Sequence, residues 1–505
     1  SIKLEEVNAL AQKWITDENR AVVITAPEKE SIQLPTEEQV REILESAKDM
    51  EVEPYKDKFL DMPLLEEMPK AGSITATNEV EQDGLNITEY TMSNGVKVVL
   101  KPTTFQNDKI YLYASSPGGH SLYNDEDFLD AQNAANIVDE MGVGQFDALG
   151  LNRKLTGKTL SLSPYIGELY EGFYGNTSVE DAETFFKLIY LYATAPREDS
   201  EDFERMMDQT KEQLRNLSAN PMVAFRSEIA RVKYNDNIRR KAIPTEEDMN
   251  TIDLKRAMEI YKDRFDDFSD FTFVLVGSFK PEDLKPHIEQ YLGALPSINR
   301  KEKGKDINIE YATDGGNSNI KKGLAPQANV YISFTKPTEV NLKKALEVEA
   351  MGKVLNIMVR ENLREEKGGV YSPFVRAGTE REPKGMTDVV IFFQCAPEDV
   401  EELVAAVKEE IEDLQKNGPT QENYDKVRET LRRGRESDLE KNRFWVNTLA
   451  TYYRQGRDLG EIKGFDAALE GLTKADIKKA SETYADWENA IIVTVNPEKE
   501  TNDNP

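Results

Sequence analysis

Residues 483–500 read TYADWENAIIVTVNPEKE, and residues 264–283 read RFDDFSDFTFVLVGSFKPED. Each couples the end of an amphipathic helix to a polar turn, an apolar β-run, and a second turn carrying Pro with Glu or Asp. A third version, KWITDENRAVVITAPEKE, fills residues 13–30, with almost nothing in front of it. Internal repetition sets architecture, because each copy marks the same place in a repeated unit. Two full modules end at the later copies. The first copy reads as the tail of an upstream module, so the chain is expected to be the back part of a longer protein.

Between these markers the pattern is strands first and paired helices next. NITEYTMSNGVKVVLKP (86–102) sets Asn94-Gly95 between two alternating runs, a hairpin signal. The strand KIYLYASSPGG (109–119) leads to a helix, DFLDAQNAANIVDEMG (127–142), then to paired strands KTLSLSPYIGELYEGFYG (158–175). Helices follow over about 178–265, and the middle closing phrase ends the unit. The second unit repeats the plan: strand QANVYISFTKP (327–337), a long helix over about 339–364, strands GGVYSPFVRAG and MTDVVIFFQCAP, helices at 397–416 and 420–440, then the last closing phrase.

The fold class is therefore α+β: two tandem homologous modules, each a mainly antiparallel sheet packed with helices. The expected divisions are 1–27 (a helix over 4–15, then strand RAVVITA), 28–74 (a linker between halves), 75–296, and 297–505. The linker holds one helix, opened by a capping box of Thr36 and Gln39. Residues 297–326, rich in Lys, Gly and Asn, read as a second linker.

Composition narrows the function. A formal net charge of −29 over 505 residues argues against nucleic-acid binding, which needs a basic footprint. Hydrophobic content of 39% is that of a globular chain. No apolar run approaches the roughly 18 residues of a membrane span. The single Cys395, inside a strand-like run, reads as a small core residue.

Histidine is the sharpest negative. Only His120 and His287 exist, too far apart for H-E-x-x-H or H-x-x-E-H, which need two imidazoles at helical spacing on zinc. His287 reads as a surface residue, and His120, after Pro117-Gly118-Gly119, as a turn histidine at a strand end. Asn136, Asp139 and Glu140 share one helical face, by themselves a solvated face. Arg364 and Tyr371 flank Gly368-Gly369 where a helix turns into a strand. Arg offers a rigid fork of donors and Tyr a phenol that can hydrogen-bond an oxyanion. The plainer reading is a helix-terminal Arg favoured by the dipole and a half-buried strand Tyr.

At these residues the sequence resembles the insulinase/pitrilysin family of inverted-motif (H-x-x-E-H) zinc metallopeptidases, and specifically its C-terminal, zinc-free half. The resemblance runs through NGVKVVLKP, the SPGG turn, YEGFYGNTSVEDAETFFKLIYLYATAP, the Arg364–Tyr371 pair, and NRFWV at 442–446. In that family four modules close like a clamshell around a peptide, and the zinc-free half lends an Arg and a Tyr to the active site. The resemblance implies that 75–296 and 297–505 are the third and fourth modules. Asn136, Asp139 and Glu140 then stand at degenerate, non-binding zinc positions. Tyr371 would stabilise the oxyanion and Arg364 would bind substrate.

It also implies no metal in this chain, zinc in an upstream catalytic half that is the chain's partner, peptides as substrates, and no hydrolysis by the chain alone. Exported relatives lean the compartment towards the bacterial periplasm or cell envelope, and a homodimer stays open. Two alternatives remain: a non-catalytic structural subunit of a two-subunit peptidase of this family, and a peptide-binding protein unrelated to proteolysis.

Overall fold

A computed structural model describes residues 3–16, 18, 20–26, 33–47, 50, 59, 61–81, 84–312, 315–370 and 372–498. The chain forms two compact units, Ser1–Lys58 and Phe59–Pro505. In the first, helix Leu4–Trp14 and helix Glu37–Ser46 form where expected, the latter with both halves of the Thr36–Gln39 capping box. Residues 20–26, however, make no strand, and Val22, Val23 and Ile24 are exposed. A lone strand leaves its N–H and C=O groups unpaired, and no other strand lies among the described residues of this unit.

The second unit carries two sheets. One contains β1 (Ile74–Val80), β2 (Ile87–Met92), β3 (Lys97–Pro102), β4 (Ile110–Pro117), β5 (Leu160–Ile166), β6 (Tyr170–Thr177) and β7 (Thr272–Gly277), in the order β1-β2-β3-β7-β4-β6-β5. The other contains β8 (Gly316–Lys321), β9 (Ala328–Pro337), β10 (Phe374–Glu380), β11 (Met386–Cys395) and β12 (Ile491–Asn496), in the order β10-β11-β9-β12-β8.

The duplication is visible in the pairing. The closing strand β7 lies between β3, parallel, and β4, antiparallel. Its counterpart β12 lies between β8, parallel, and β9, antiparallel. β8 falls inside the stretch expected to be a linker. Its residues alternate between half-buried and exposed, as on an edge strand, and their polar character hides the pattern. The strand expected over 368–378 begins only at Phe374, because Pro373 has no N–H to give the ladder.

Each sheet buries one face against its own helices. Helices Phe128–Met141, Ala182–Thr194 and Leu254–Arg264 cover the first, and Leu342–Arg360, Val400–Asn417 and Lys474–Tyr484 cover the second. The opposite faces are covered by exchange. Helix Asn442–Arg454 sets Trp445, Val446 and Leu449 on Ile87, Val99, Val274 and Val276 of the first sheet. Helix Pro221–Lys233 sets Phe225 against Ile491, Val493 and Val495 of the second. Full burial of each large apolar side chain contributes about 1.5–3 kcal/mol, so the exchanged helices bind the modules firmly.

Polar contacts complete the seam. Lys101 is buried in β3, donates to the Leu85 carbonyl at 2.6 Å, and lies 4.1 Å from the Trp445 ring centroid. Burial lowers its ammonium to about 8. Lys233, also buried, reaches from the first module to Asp388 on β11 at 2.6 Å. The supposed linker is strapped down as well: Arg300 pairs with Asp263, Glu302 with Arg264, and the Lys305 N–H donates to Ser121 Oγ.

Trp445→Ala should cost about 3–5 kcal/mol, the range for removing a buried Trp. Since that side chain joins the modules, urea unfolding of the variant should split into two transitions where the parent shows one. A single transition at unchanged midpoint would show that the exchanged helix contributes nothing.

Candidate functional site

Helix Phe128–Met141 carries the three residues expected at the zinc positions. Asn136 and Glu140 are exposed, while Asp139 accepts a hydrogen bond from the Tyr192 phenol at 2.5 Å. Tyr192 is buried, its carbonyl accepts from the Tyr261 hydroxyl at 2.9 Å, and burial together with Asp139 raises its phenol well above the usual range. Asp139 is thereby committed to holding two helices together. Among the described residues no group of three His, Cys, Asp or Glu side chains could hold a metal ion. The residues at this position do not fit zinc: the helix offers no imidazole or thiolate, Glu140 is exposed, and Asp139 is taken up by Tyr192.

The two histidines are packing residues. His120 is buried, with its ring edge-on to Phe128 at 5.2 Å. Burial first, then Arg239 and Arg240, lower its imidazole to about 4, so it is neutral at pH 7. His287 is half-buried, stacked on Phe186 at 5.9 Å and near Tyr291, and not the surface residue expected. Its ring fills space between helices, which the polar sequence around it conceals. Cys395 is buried on β11, and desolvation pushes its thiol to about 12, which makes it unreactive.

Arg364 lies where the long helix Leu342–Arg360 loosens into a wider turn, Glu361–Glu366, closed by the Lys367 N–H on the Asn362 carbonyl. The turn buries Leu363 and exposes Arg364. Gly368 has φ +68, a left-handed conformation that requires glycine for the backbone, since a Cβ there would meet nothing within 4 Å. Tyr371 lies outside the described residues. Nothing brings Arg364 together with Asn136, Asp139 or Glu140, which belong to the other module.

Sequence reading missed a cavity of about 930 Å³ in the seam between the modules. Its walls are the β5–β6 turn, the strap at 306–312, the β10–β11 hairpin and the end of helix Asn442–Arg454. The SPGG turn builds one wall. Gly118, His120 and Ser121 donate backbone N–H groups to the carbonyls of Leu169, Gly167 and Glu168, at 2.8–2.9 Å. Gly119 (φ +68) leaves no room for a Cβ, which would sit 2.4 Å from the Gly167 and Glu168 carbonyls.

Beneath that turn Glu171 is buried, accepts from the Gly119 N–H at 2.5 Å, and lies 3.9 Å from the buried Arg264. Burial raises its carboxyl from 4.5 to about 8 against the pull of Arg264 and Gly119. Facing the turn, Tyr170 donates to Glu382, Gln455 donates to the same carboxylate at 3.0 Å, and the Arg454 guanidinium covers the Tyr170 ring at 5.0 Å. The only sequence signal for this wall was the density of charge in two tight turns, GELY and EREPK, and no periodicity says that distant turns meet.

Residues 251–431 match the family described as Peptidase M16 inactive domain. This stretch is thereby an M16-type inactive domain. It is similar to the "Zinc protease PQQL-like" of Arabidopsis thaliana, 25% identical over 437 residues, covering 83% of this chain and 43% of the relative. In fold it resembles the crystal structure of the periplasmic protease PqqL from Escherichia coli, with TM-score 0.74 at 20% identity over 92% of this chain and 51% of that one. The first half of the same Escherichia coli protein also resembles it, with TM-score 0.67 at 12% identity over 83% of this chain and 93% of that structure. The chain spans less than half the length of the curated relatives it matches. Among the described residues, no helix is long and apolar enough to cross a membrane.

Glu171 makes a signed prediction. Its folded carboxyl sits near 8, above the 4.5 of the unfolded chain, so between those values only the folded state keeps the proton. Stability should therefore fall as pH rises through this window and level off above it. In Glu171→Gln that part of the slope should vanish in urea titrations from pH 5 to 9. An unchanged slope would mean that Glu171 is ionised throughout.

Proposed function

We propose that this chain is the substrate-clamping half of a zinc metalloendopeptidase, acting with a catalytic half that carries the zinc and its general base. The observation that carries this reading is the match to the inactive M16 domain over 251–431, a segment that includes both Arg364 and Tyr371. The relatives' lengths support it too: the chain spans 43% of a zinc protease and, in fold, 51% of a complete one. On this reading residues 1–27 close a second module, 28–74 cross between halves, and 75–296 and 297–505 are the third and fourth modules. The exposed Val22, Val23 and Ile24 suit a strand whose sheet belongs to that second module.

Within the closed enzyme, Arg364 positions the peptide through its guanidinium fork, which is exposed and carried on a turn whose apolar side is anchored by Leu363. Tyr371 donates its phenolic hydrogen bond to the oxygen of the scissile carbonyl as negative charge grows there. Such a donor lowers the barrier because the bond strengthens as the oxyanion forms. A periplasmic or envelope location fits the compartment named for the Escherichia coli relative. Peptides are the substrates.

The chain alone, given zinc and mixed peptides, should show no hydrolysis. In the protein that joins it to its catalytic half, Tyr371→Phe should lower kcat by about 10²-fold. Arg364→Ala should act mainly on KM. Zinc-dependent turnover by residues 1–505 alone would overturn the proposal, and a Tyr371→Phe enzyme with normal kcat would remove Tyr371 from it.

A further inference from the structure

The seam cavity is not accounted for by proteolysis. It is large enough for a ligand of several residues' size, since pockets for small molecules run from about 300 to 1,000 Å³. Its rings and charges are unevenly arranged. Tyr113, Tyr165 and Tyr170 gather at one end, with Arg454 covering Tyr170. The acidic groups concentrate where the strap passes the β10–β11 hairpin.

There the charges do not balance. Arg240 is taken up by Glu168 at 2.5 Å, and Lys384 by Asp306 at 2.9 Å. Glu310 and Glu380 line the same space and have no ion-pair partner among the described residues. Arg381 and Arg454 are the lining cations outside those pairs, set against three carboxylates, Glu310, Glu380 and Glu382. Both unpaired carboxylates are on exposed residues at the rim, so a ligand reaches them without opening the fold.

We infer that this inter-module cavity is a binding site for an organic cation, an alkylammonium or guanidinium group held by Glu380 and Glu310 with its carbon body on the tyrosine wall. Aromatic faces and carboxylates together suit such a ligand, because the ring quadrupole and the anion attract the same charge. An inorganic cation would leave the aromatic end unused, and an anion would meet surplus carboxylate. The chemistry is shared by a free polyamine and by the basic side chain of a peptide.

Calorimetric titration of the full chain tests this with spermidine, agmatine, and the doubly blocked peptides acetyl-Ala-Lys-Ala-amide and acetyl-Ala-norleucine-Ala-amide. At least one cationic probe should bind with one-to-one stoichiometry, and the norleucine peptide at least tenfold more weakly than that probe. Binding of spermidine or agmatine alone identifies a free-cation site; binding of the lysine peptide identifies a peptide site. Glu380→Gln should weaken the binding probe by about tenfold, and Glu310→Gln, on the exposed strap, gives a second reading if the first variant melts early. Binding of the norleucine peptide as tight as that of the best cationic probe, no loss in either variant, or no binding of any cationic probe at millimolar concentration would each overturn the assignment.

Discussion

Neither sheet of this molecule can bury both its faces with its own helices, and that shortage governs everything else. β3 and β7 carry apolar residues on both sides, as do β9 and β12. An apolar face left in water would forfeit the burial that holds the sheet, so each module lends the other a helix. The pair then folds as one object, and charges inside the seam must be arranged rather than left to solvent. Lys101 sits against Trp445 and a carbonyl, and Lys233 against Asp388. The strap between modules is held close for the same reason: chain crossing an occupied seam has only one path.

Much of this order was legible in the chain. The closing phrases predicted β7 and β12, Asn94-Gly95 predicted the β2–β3 turn with Gly95 at φ +94, and Thr36 with Gln39 predicted a capped helix. These are local signals, each satisfied by neighbours in sequence. What stayed hidden depends on distant partners. β8 is a strand only because β12 offers it a parallel edge, and RAVVITA is not one because no edge is offered. NRFWV could be seen as unusual, but not as the plug of a sheet from another module. The candidate pair Arg364 and Tyr371 was readable only through resemblance; Asn136 and Glu140 turned out exposed, as a solvated helix face predicts.

Helix Phe128–Met141 shows how a polar helix face is settled when it holds no metal. A position suited to a metal ligand must be partly buried and must face a cleft. Once imidazoles are absent, a polar side chain there needs another partner or an exit to water. Asn136 and Glu140 take the exit, and Asp139 takes the Tyr192 hydroxyl. That bond ties helix Phe128–Met141 to helix Ala182–Thr194, and Tyr261 extends the tie to a third helix through the Tyr192 carbonyl. These groups form a brace, which is stabilising only while every polar atom in it is satisfied.

The same reasoning bears on why the seam contains a cavity. Two twisted sheets that exchange helices meet along those helices, and the remaining contact is made by turns. Turns carry polar residues because their backbone groups need local partners or water. The β5–β6 turn spends its carbonyls on the SPGG backbone, which fixes Glu168 at the wall and leaves its carboxylate for Arg240. The β10–β11 hairpin spends Glu382 on Tyr170 and Gln455. Rigid walls of this kind do not collapse on one another, so the space between them persists and keeps the charge of whatever residues are left over. In this chain the surplus is carboxylate, and a seam built for stability thereby acquires a chemical preference.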